Sequence, residues 1–429
     1  MKILIKNGRV IEPANNIDDI MDILIVDGII EKLEKNIDEK NIDKIINAEN
    51  FWVTPGFIDV HTHLREPGYE YKETIKTGTM SAAKGGFTTI CCMPNTEPVT
   101  DNEIMIEYIN MKAKQEGIIN VLPVGAITKG QKGEELANIG KMAKAGACAI
   151  SEDGRSVLSA GLLKTAMKYA QMFDIPVLSH CEDRSLVGSG CMNAGLASQL
   201  LGLKGISNDS EDVIVARDII LAKSTNSKLH ICHMSTKGSV QLLREAHNRG
   251  EKVTGEVCPH HFTLTDEAVM NYDGNTKMNP PLRSKDDVLA LKEGLKDDTI
   301  SIIATDHAPH NLDEKNCEYE KAAFGIVGFE TALPLSIKIL IEEGWLTPMK
   351  LIEKLTINPA KMLGIDKGSI YIGKVADITI VNPNIEYKID ISKFASKSKN
   401  SPFDGYEVKG KVEYTIVNGN IVVENGELI

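Results

Sequence analysis

The sequence predicts an α/β protein: a (β/α)8 TIM barrel with a small β-sandwich built from both chain ends. Three observations lead to this fold class. Eight short apolar runs, each followed by a longer helical stretch, indicate a parallel sheet. Both chain ends instead alternate apolar and polar residues around Asn-Gly and Asp-Gly turns, which is the pattern of β-hairpins. A chain of 429 residues with 42% hydrophobic content is long enough for one large and one small domain.

The two chain ends are predicted to form one domain. The N-terminal segment contains the strand-like stretches KILIKNGRVI and DILIVDGII, and the C-terminal segment repeats this style in ADITIVNP and VEYTIVNGNIVVENGEL. We therefore expect residues 1–53 and 366–429 to build the composite β-sandwich. Residues 54–365 would then be the inserted catalytic barrel.

The eight apolar runs of the middle segment correspond in number and spacing to the strands of a TIM barrel. In chain order they are GFIDV, TTICCM, VLPVGA, ACAIS, PVLS, KLHIC, KVTGEV and ISIIAT. The active site of such a barrel lies at the C-terminal ends of its strands. The polar residues that follow these runs are therefore the candidates for function.

Composition excludes several classes of protein. The formal charge of −12 and the pI near 5.4, with no basic run to compensate, predict no binding to nucleic acid. No stretch of about 18 uncharged apolar residues is present, so we expect neither membrane insertion nor export. The eight cysteines include no Cys-x-x-Cys pair and are typical of small core residues in the reducing cytoplasm. We therefore expect a cytoplasmic protein.

A histidine pair follows the first barrel run, in DVHTHLREPG. His61 and His63 lie two residues apart on a predicted strand, so their side chains share a face, as a pair of zinc ligands can. The pair alone could equally be packing or solvated histidines. His180, His233 and Asp306 each follow another run, in SHCED, CHMST and ATDHAPH. Because a barrel gathers its strand ends into one ring, these five residues predict a metal site.

A bridging carboxylate is predicted at the end of the fourth run, in SEDG. Two metals close together need an anionic bridge besides hydroxide, and we assign it to Asp153, beside Gly154. A carbamylated lysine occupies this strand in many related barrels, but the nearby lysines, Lys141 and Lys144, precede the run. The other interpretation of Glu152-Asp153-Gly154 is a surface turn.

The substrate is predicted to carry a carboxylate. Arg65 follows the histidine pair by two residues, and its planar fork binds a carboxylate through two hydrogen bonds. Asn95, in MPNTEP, and His310, in TDHAPH, could donate to the same group or simply cap turns. The polar loop from Asn311 to Phe324 has the character of a lid, with Gly325 as a hinge or a source of backbone contacts.

These residues predict hydrolysis of an amide. Zinc lowers the pKa of bound water to about 7, so a bridging hydroxide could attack an amide carbonyl beside it. Asp306 would shuttle the proton to the leaving nitrogen, and would work in reverse for ring closure. The alternative for Asp306 is that it only ligates zinc.

Most of the chain resembles the dihydroorotase family of the bacterial class I type, in the amidohydrolase superfamily. The resemblance rests on an ordered set of motifs: DVHTHLREPGYEYKETIKTGTMSAAKGGFTTICCMPNTEP, SEDG, SHCED, CHMST, KMNPPLR, ATDHAPH and FGIVGFET. It implies reversible cyclisation of N-carbamoyl-L-aspartate to (S)-dihydroorotate with release of water. This reaction is the third step of pyrimidine (UMP) synthesis, and the small-molecule substrate pair would be carbamoyl aspartate and dihydroorotate.

The resemblance also implies a role for each site residue. Two Zn2+ ions per subunit would be bound, one by His61, His63 and Asp306 and one by His180 and His233, with Asp153 and a hydroxide as bridges. Asp306 would be the catalytic acid and base. The substrate contacts implied are His63, Arg65, Asn95, Asn279, His310, Phe324 and Gly325. Many class I members have Asp-Asp-Gly where this chain has Glu152-Asp153-Gly154.

Two alternatives remain at this level. One is another cyclic-amide hydrolase of the superfamily, such as a hydantoinase, dihydropyrimidinase or allantoinase; Arg65 and the missing strand-four lysine count against it. The other is a catalytically inactive barrel subunit, which would be expected to lack ligands that this chain retains. A homodimer is expected for a barrel with an edge-rich sandwich, although no sequence feature identifies its surface.

Overall fold

The computed structural model describes residues 1–429. Nineteen strands run along the chain. In order they are β1 (Lys2–Glu12), β2 (Ile17–Val26), β3 (Ile29–Glu34), β4 (Lys44–Asn47), β5 (Trp52–Pro55), β6 (Phe57–Thr62), β7 (Phe87–Cys92), β8 (Asn120–Ala126), β9 (Ala149–Ser151), β10 (Val177–Ser179), β11 (Met192–Asn193), β12 (Gly205–Ile206), β13 (Leu229–Ile231), β14 (Val253–Val257), β15 (Ile302–Ile303), β16 (Ile378–Lys388), β17 (Glu407–Val417), β18 (Asn420–Glu424) and β19 (Glu427–Leu428).

Eight of these strands form a nearly closed parallel barrel. Their order in the sheet is β15-β14-β13-β10-β9-β8-β7-β6, and a parallel bridge between Thr62 and His307 approaches closure. Each strand lies on one of the eight predicted apolar runs, so the predicted fold class is confirmed. One buried cluster takes side chains from most of the barrel strands, including Ile58, Val124 and Leu178, and the interior is therefore a packed core rather than a pore.

Helices connect the barrel strands and cover them. They are α1 (Ile75–Lys84), α2 (Glu103–Glu116), α3 (Ile139–Lys144), α4 (Ala160–Gln171), α5 (Arg184–Val187), α6 (Leu196–Leu201), α7 (Asp209–Thr225), α8 (Lys237–Asn248), α9 (Pro259–Thr263), α10 (Lys285–Lys296), α11 (Leu312–Lys315), α12 (Phe329–Ser336), α13 (Pro348–Leu355) and α14 (Ile357–Leu363). Polar N-caps start several of them: Asn102 accepts from the Met105 N–H before α2, and Ser284 accepts from Asp287 before α10. None of these helices is long and apolar enough to cross a membrane.

The chain ends meet in one nine-stranded sheet. The strands follow the order β19-β18-β17-β16-β5-β1-β2-β3, with β4 on β1. The two chain segments join where β5 pairs antiparallel with β16, through Thr54 opposite Thr379. Isoleucines from both segments, among them Ile3 and Ile378, share a core. We propose that this sheet and the barrel are separate domains with the predicted bounds, 1–53 plus 366–429 and 54–365.

The segment between β16 and β17 leaves the composite sheet and returns to the barrel. Its Phe403 packs in a cluster with Met278 and Ile326, which lie in barrel loops. Asn400 hydrogen-bonds to His310 and Gly325 at the mouth of the barrel. The C-terminal part of the chain therefore takes part in the surroundings of the predicted site.

Candidate active site

Six predicted ligand residues meet at the carboxyl end of the barrel. Each comes from the end of a different strand or from the residues just after it, except that His61 and His63 share β6. All are at least nine-tenths buried: His61, His63, Asp153, His180, His233 and Asp306. Their convergence follows from barrel topology, which brings the ends of distant strands to one rim.

The Asp153 carboxylate lies at the centre of this cluster. Its Oδ1 is 3.1 Å from His61 Nε2 and 3.6 Å from His180 Nδ1, while its Oδ2 is 3.4 Å from His63 Nε2. His233 Nε2 lies 3.8 Å from Oδ1. One carboxylate thus faces all four histidines, which is the position that a bridging ligand needs.

The remaining contacts divide the cluster into two adjoining groups. Asp306 Oδ1 lies 3.1 Å from His63 Nε2 and 3.6 Å from His61 Nε2. His180 Nδ1 and His233 Nε2 face each other at 2.8 Å. Atoms bound to one zinc at about 2.0–2.1 Å in a tetrahedron lie roughly 3.3 Å apart, and these spacings are close to that value.

The cluster also contains polar atoms that the protein leaves unpaired. His61 Nε2 and Asp153 Oδ1 are buried, yet neither forms a hydrogen bond with any group of the chain. A buried polar atom without a partner costs free energy, so such atoms are rare in folded proteins. Imidazole nitrogens and carboxylate oxygens are the donors that zinc accepts. The residues therefore fit a divalent metal.

The charges of the cluster favour a cation as well. Burial raises the pKa of Asp153, but the surrounding imidazoles outweigh this and hold it well below its usual range. Burial likewise opposes ionisation of Asp306, and hydrogen bonding to His63 lowers its pKa below the usual range. Both carboxylates are consequently anionic. Burial lowers the pKa of the neighbouring imidazoles of His61 and His180, but Asp153 and other nearby carboxylates outweigh it and raise that pKa above its usual range. A divalent cation would replace the protons on these imidazoles.

Glu256, which sequence reasoning did not select, orients the first histidine. Its Oε1 lies 2.7 Å from His61 Nδ1, and its Oε2 lies 2.9 Å from His230 Nε2. A carboxylate on the far ring nitrogen sets the tautomer so that Nε2 faces the metal position. Glu256 is on β14, in the run KVTGEV, and its place on a buried strand was the available signal.

Asn95 and Glu152 both lie next to Asp153, but only Asn95 contacts the ligand residues. Asn95 Oδ1 lies 2.9 Å from His63 Nδ1, and its Nδ2 donates to Asp153 Oδ2 at 3.2 Å, so Asn95 joins two ligand residues. The Glu152 carboxylate instead turns away, accepting from the N–H groups of Ile127 and Thr128 at 3.1 and 3.0 Å. Glu152 therefore holds a neighbouring loop.

A cavity of about 230 Å3 opens over the cluster. All seven residues assigned as substrate contacts line it: His63, Arg65, Asn95, Asn279, His310, Phe324 and Gly325. Arg65 Nε donates to Pro309 O at 3.1 Å, which turns the guanidinium toward His310. His310 Nε2 donates to Phe324 O at 2.9 Å, and its Nδ1 faces Lys72 Nζ at 3.3 Å.

Asn279 has a partner that the sequence did not indicate. Its Nδ2 donates to Glu182 Oε1 at 2.8 Å, and Glu182 Oε2 lies 3.7 Å from His180 Nε2. Glu182 thus links a ligand histidine to a predicted substrate contact. It lies in the motif SHCED, two residues after His180, and this proximity was the only local signal.

Three residues of the same rim have a strained backbone. Arg65, His233 and Asp306 have φ values of 61°, 32° and 49°, in the left-handed region that residues other than glycine seldom adopt. Such conformations persist where the surrounding structure holds them in place, and they cluster at active sites. A (β/α)8 barrel with this His/Asp cluster at its strand ends defines a metal-dependent amidohydrolase.

Comparisons with known proteins narrow that class. A family model described as Dihydro-orotase-like matches residues 52–239, and one described as Amidohydrolase family matches residues 288–423. A dihydroorotase of Acetivibrio thermocellus is 57% identical over 99% of this chain and 100% of its own. A dihydroorotase of Ruminiclostridium cellulolyticum is 54% identical over the whole of both chains. The chain therefore belongs to the dihydroorotase family, whose members are cyclic amide hydrolases.

Solved structures with the same fold are more distant in sequence. The L-hydantoinase (dihydropyrimidinase) of Arthrobacter aurescens superposes with a TM-score of 0.90 at 26% identity, covering 100% of this chain and 97% of that one. A dihydropyrimidinase of Brevibacillus agri has a TM-score of 0.87 at 22% identity and covers 100% and 96%. Hydantoinases thus share the architecture, while the full-length identity lies with dihydroorotases.

Proposed function

We propose that this protein is a zinc-dependent dihydroorotase that interconverts N-carbamoyl-L-aspartate and (S)-dihydroorotate, the third step of pyrimidine synthesis. One observation carries the proposal: Arg65 lines the same small cavity as the His/Asp cluster. Dihydroorotate has a ring amide to be opened and a carboxylate to be held. The His/Asp cluster can hold the metal that opens the amide, and the guanidinium of Arg65 can bind the carboxylate.

The six ligand residues would hold two zinc ions. His61, His63 and Asp306 would bind one ion and His180 and His233 the other, with Asp153 shared, in accordance with its central position. When bound, zinc polarises a carbonyl and lowers the pKa of water. Glu256 and Asn95 support this arrangement by fixing the far nitrogens of His61 and His63.

The substrate carboxylate would be held on the Arg65 side of the cavity. Arg65 and Asn95 supply donors there, His310 lies beside them, and the Phe324-Gly325 backbone forms the adjoining wall. Burial lowers the pKa of His310, and the charges of Arg65 and Lys72 lower it further, so the imidazole is neutral. Asn279, oriented by Glu182, would contact the substrate ring.

Asp306 would move the proton. Its carboxylate lines the cavity and has Oδ1 3.1 Å from His63 Nε2. In hydrolysis it would take a proton from the attacking water and deliver it to the ring nitrogen as the C–N bond breaks. In cyclisation it would take that proton from the ureido nitrogen and return it to the departing water.

The competing functions are hydrolysis of a neutral cyclic amide and the absence of catalysis. An assay of the metal-analysed protein on dihydroorotate, hydantoin, dihydrouracil and allantoin separates them. We expect turnover of dihydroorotate, and an Asp306→Asn variant should lose about two to four orders of magnitude in kcat. Turnover of the neutral rings with none of dihydroorotate would disprove the assignment, and no turnover of any ring would favour an inactive barrel.

The proposal also includes the oligomeric state and the cellular location of the protein. Strands β3 and β19 lie at the two edges of the composite sheet, where a second copy can pair, so we expect a homodimer that light scattering would detect. All eight cysteines are free thiols, in keeping with a reducing cytoplasm.

A further inference from the structure

The loop between β16 and β17 reaches the mouth of the barrel through several buried contacts. Ser396 Oγ donates to the buried carboxylate of Glu73, and the Lys397 N–H donates to the same carboxylate at 3.1 Å. Ser398 Oγ donates to Lys72 O at 2.7 Å. This loop, residues 394–403, belongs by sequence to the C-terminal part of the composite domain, yet its polar groups are bonded to the barrel.

Asn400 is the residue of this loop that lies nearest to the predicted substrate contacts. It is 6% exposed and uses both ends of its amide. Its Oδ1 accepts from the His310 N–H at 3.0 Å. Its Nδ2 donates to Ala308 O at 3.1 Å and to Gly325 O at 3.0 Å. One side chain therefore joins the loop after β15 to the Phe324-Gly325 turn.

These two barrel segments pack closely against each other at Gly325. Its φ is +127°, and a Cβ there would lie 2.6 Å from Ala308 Cβ and 3.4 Å from His310 Nε2. Lys315 Nζ approaches the same turn from the other side, donating to Ala323 O at 2.7 Å and Gly325 O at 2.9 Å. The Gly325 carbonyl thus accepts from Asn400 and Lys315 together.

We propose that Asn400 is a positioning residue for substrate binding, which acts by fixing His310 and the Phe324-Gly325 backbone relative to each other. This inference rests on the proposed function, because it takes those groups as substrate contacts. Both ends of an amide are required: an acceptor for one N–H and donors for two carbonyls. The C-terminal loop thereby supports the carboxylate side of a cavity whose lining residues all come from the barrel.

The substitution Asn400→Asp tests this role. It keeps the acceptor for the His310 N–H but places a carboxylate oxygen against the Ala308 and Gly325 carbonyls. Repulsion should separate the two segments, and a displacement of about 1 Å at binding groups costs up to about a hundredfold. We expect KM for dihydroorotate to rise at least about tenfold, with a smaller change in kcat and wild-type metal content. Asn384→Asp, at an exposed position before the same loop, is the matched control.

A second variant and a second measurement keep the result interpretable. Asn400→Ser removes the amide without adding charge and should also raise KM. Hydrogen exchange of peptides covering 306–311 and 323–328 should be faster in both variants than in Asn384→Asp. This readout needs no substrate, so it judges the contact even if wild-type protein fails to turn over dihydroorotate, a failure that would count against the proposed function alone.

The contrary outcomes are distinct. A folded Asn400→Asp protein with the KM of wild type would overturn the proposal, as would unchanged exchange in both peptides. Loss of metal or of folding in both variants would also overturn it, because Asn400 would then be a structural residue of the whole barrel.

Discussion

Arg65 illustrates how a single residue is constrained at this site. Its backbone lies in the left-handed region, and its Nε is committed to the Pro309 carbonyl at 3.1 Å. The remaining N–H groups of the fork face the cavity and His310. Strain in the backbone and one committed hydrogen bond together determine where the guanidinium points, so its shape matters as much as its charge.

Arg65→Lys should therefore weaken substrate binding while leaving the metal site intact. An ammonium retains the charge but cannot form the two parallel hydrogen bonds of a guanidinium, which are worth about 1.5–3 kcal/mol each when charged. We expect KM for dihydroorotate to rise at least about tenfold with unchanged zinc content, measured by steady-state kinetics and metal analysis. Arg249→Lys, at an exposed arginine that pairs with Glu251 far from the site, serves as the control. Loss of zinc from Arg65→Lys would instead reveal a structural role.

Helix α12 contains a buried titratable residue that lies outside the predicted catalytic site. Glu330, in its first turn, has a side chain that is 8% exposed. Its Oε1 accepts from Ser81 Oγ at 2.8 Å and from the Ala395 N–H at 2.7 Å, which joins α1, α12 and the β16–β17 loop. Burial raises the pKa of Glu330 from 4.5 to about 7.

This raised pKa predicts that Glu330 reduces stability at high pH. Because the folded state keeps the proton up to about pH 7 and the unfolded state releases it near 4.5, the free energy of unfolding falls as pH rises between these values. Glu330→Gln retains the acceptor and cannot ionise. In urea unfolding it should match wild type near pH 4.5 and exceed it at pH 8 by on the order of 1 kcal/mol.

Two results bear on that prediction directly. Glu427→Gln removes an exposed carboxylate near the same lysine, Lys84, and should not reproduce the gain at pH 8. Equal or lower stability of Glu330→Gln at pH 8 would show that the Glu330 carboxylate is better stabilised by Lys84 and its hydrogen bonds than burial implies.

At the scale of the whole molecule, the predicted metal site joins distant strands of the barrel. The ligand residues belong to β6 and to the chain after β9, β10, β13 and β15, so a bound ion would connect most of the barrel circumference. The buried atoms His61 Nε2 and Asp153 Oδ1 form no hydrogen bond within the protein. Metal binding is therefore expected to contribute to the stability of the fold as well as to catalysis.

Removal of the metal should lower activity and stability together. A ligand present at a thousand times its Kd stabilises the folded state by about 4 kcal/mol. Dialysis against a chelator should abolish turnover of dihydroorotate and lower the unfolding temperature by several degrees, and added zinc should restore both. Differential scanning calorimetry with parallel metal analysis measures this. Full activity in protein shown to be free of metal would contradict the zinc site.

The sequence predicted a large part of this molecule because the relevant signals are local. Each apolar run marks a strand, and a parallel barrel brings the residue after each strand to one rim. For this reason His61, Asp153, His180 and Asp306 could be placed together without knowing any distance. The family likeness added Asn279, which by itself resembled a turn.

Tertiary structure alone decided which residues support that site. Glu256, Glu182 and Asn400 contact their targets across long stretches of chain, and a polar residue on a strand or in a loop has no periodicity that indicates its partner. Local sequence patterns likewise did not indicate the position of the C-terminal loop. The domain boundary predicted at residue 366 places Asn400 outside the barrel, although its side chain bonds to loops at the barrel mouth. Sequence alone thus determined the fold and the group of candidate ligand residues, because the topology brings the strand ends to one place. Tertiary packing decided how the side chains of these residues are oriented, because side-chain orientation depends on contacts that form only in the folded chain.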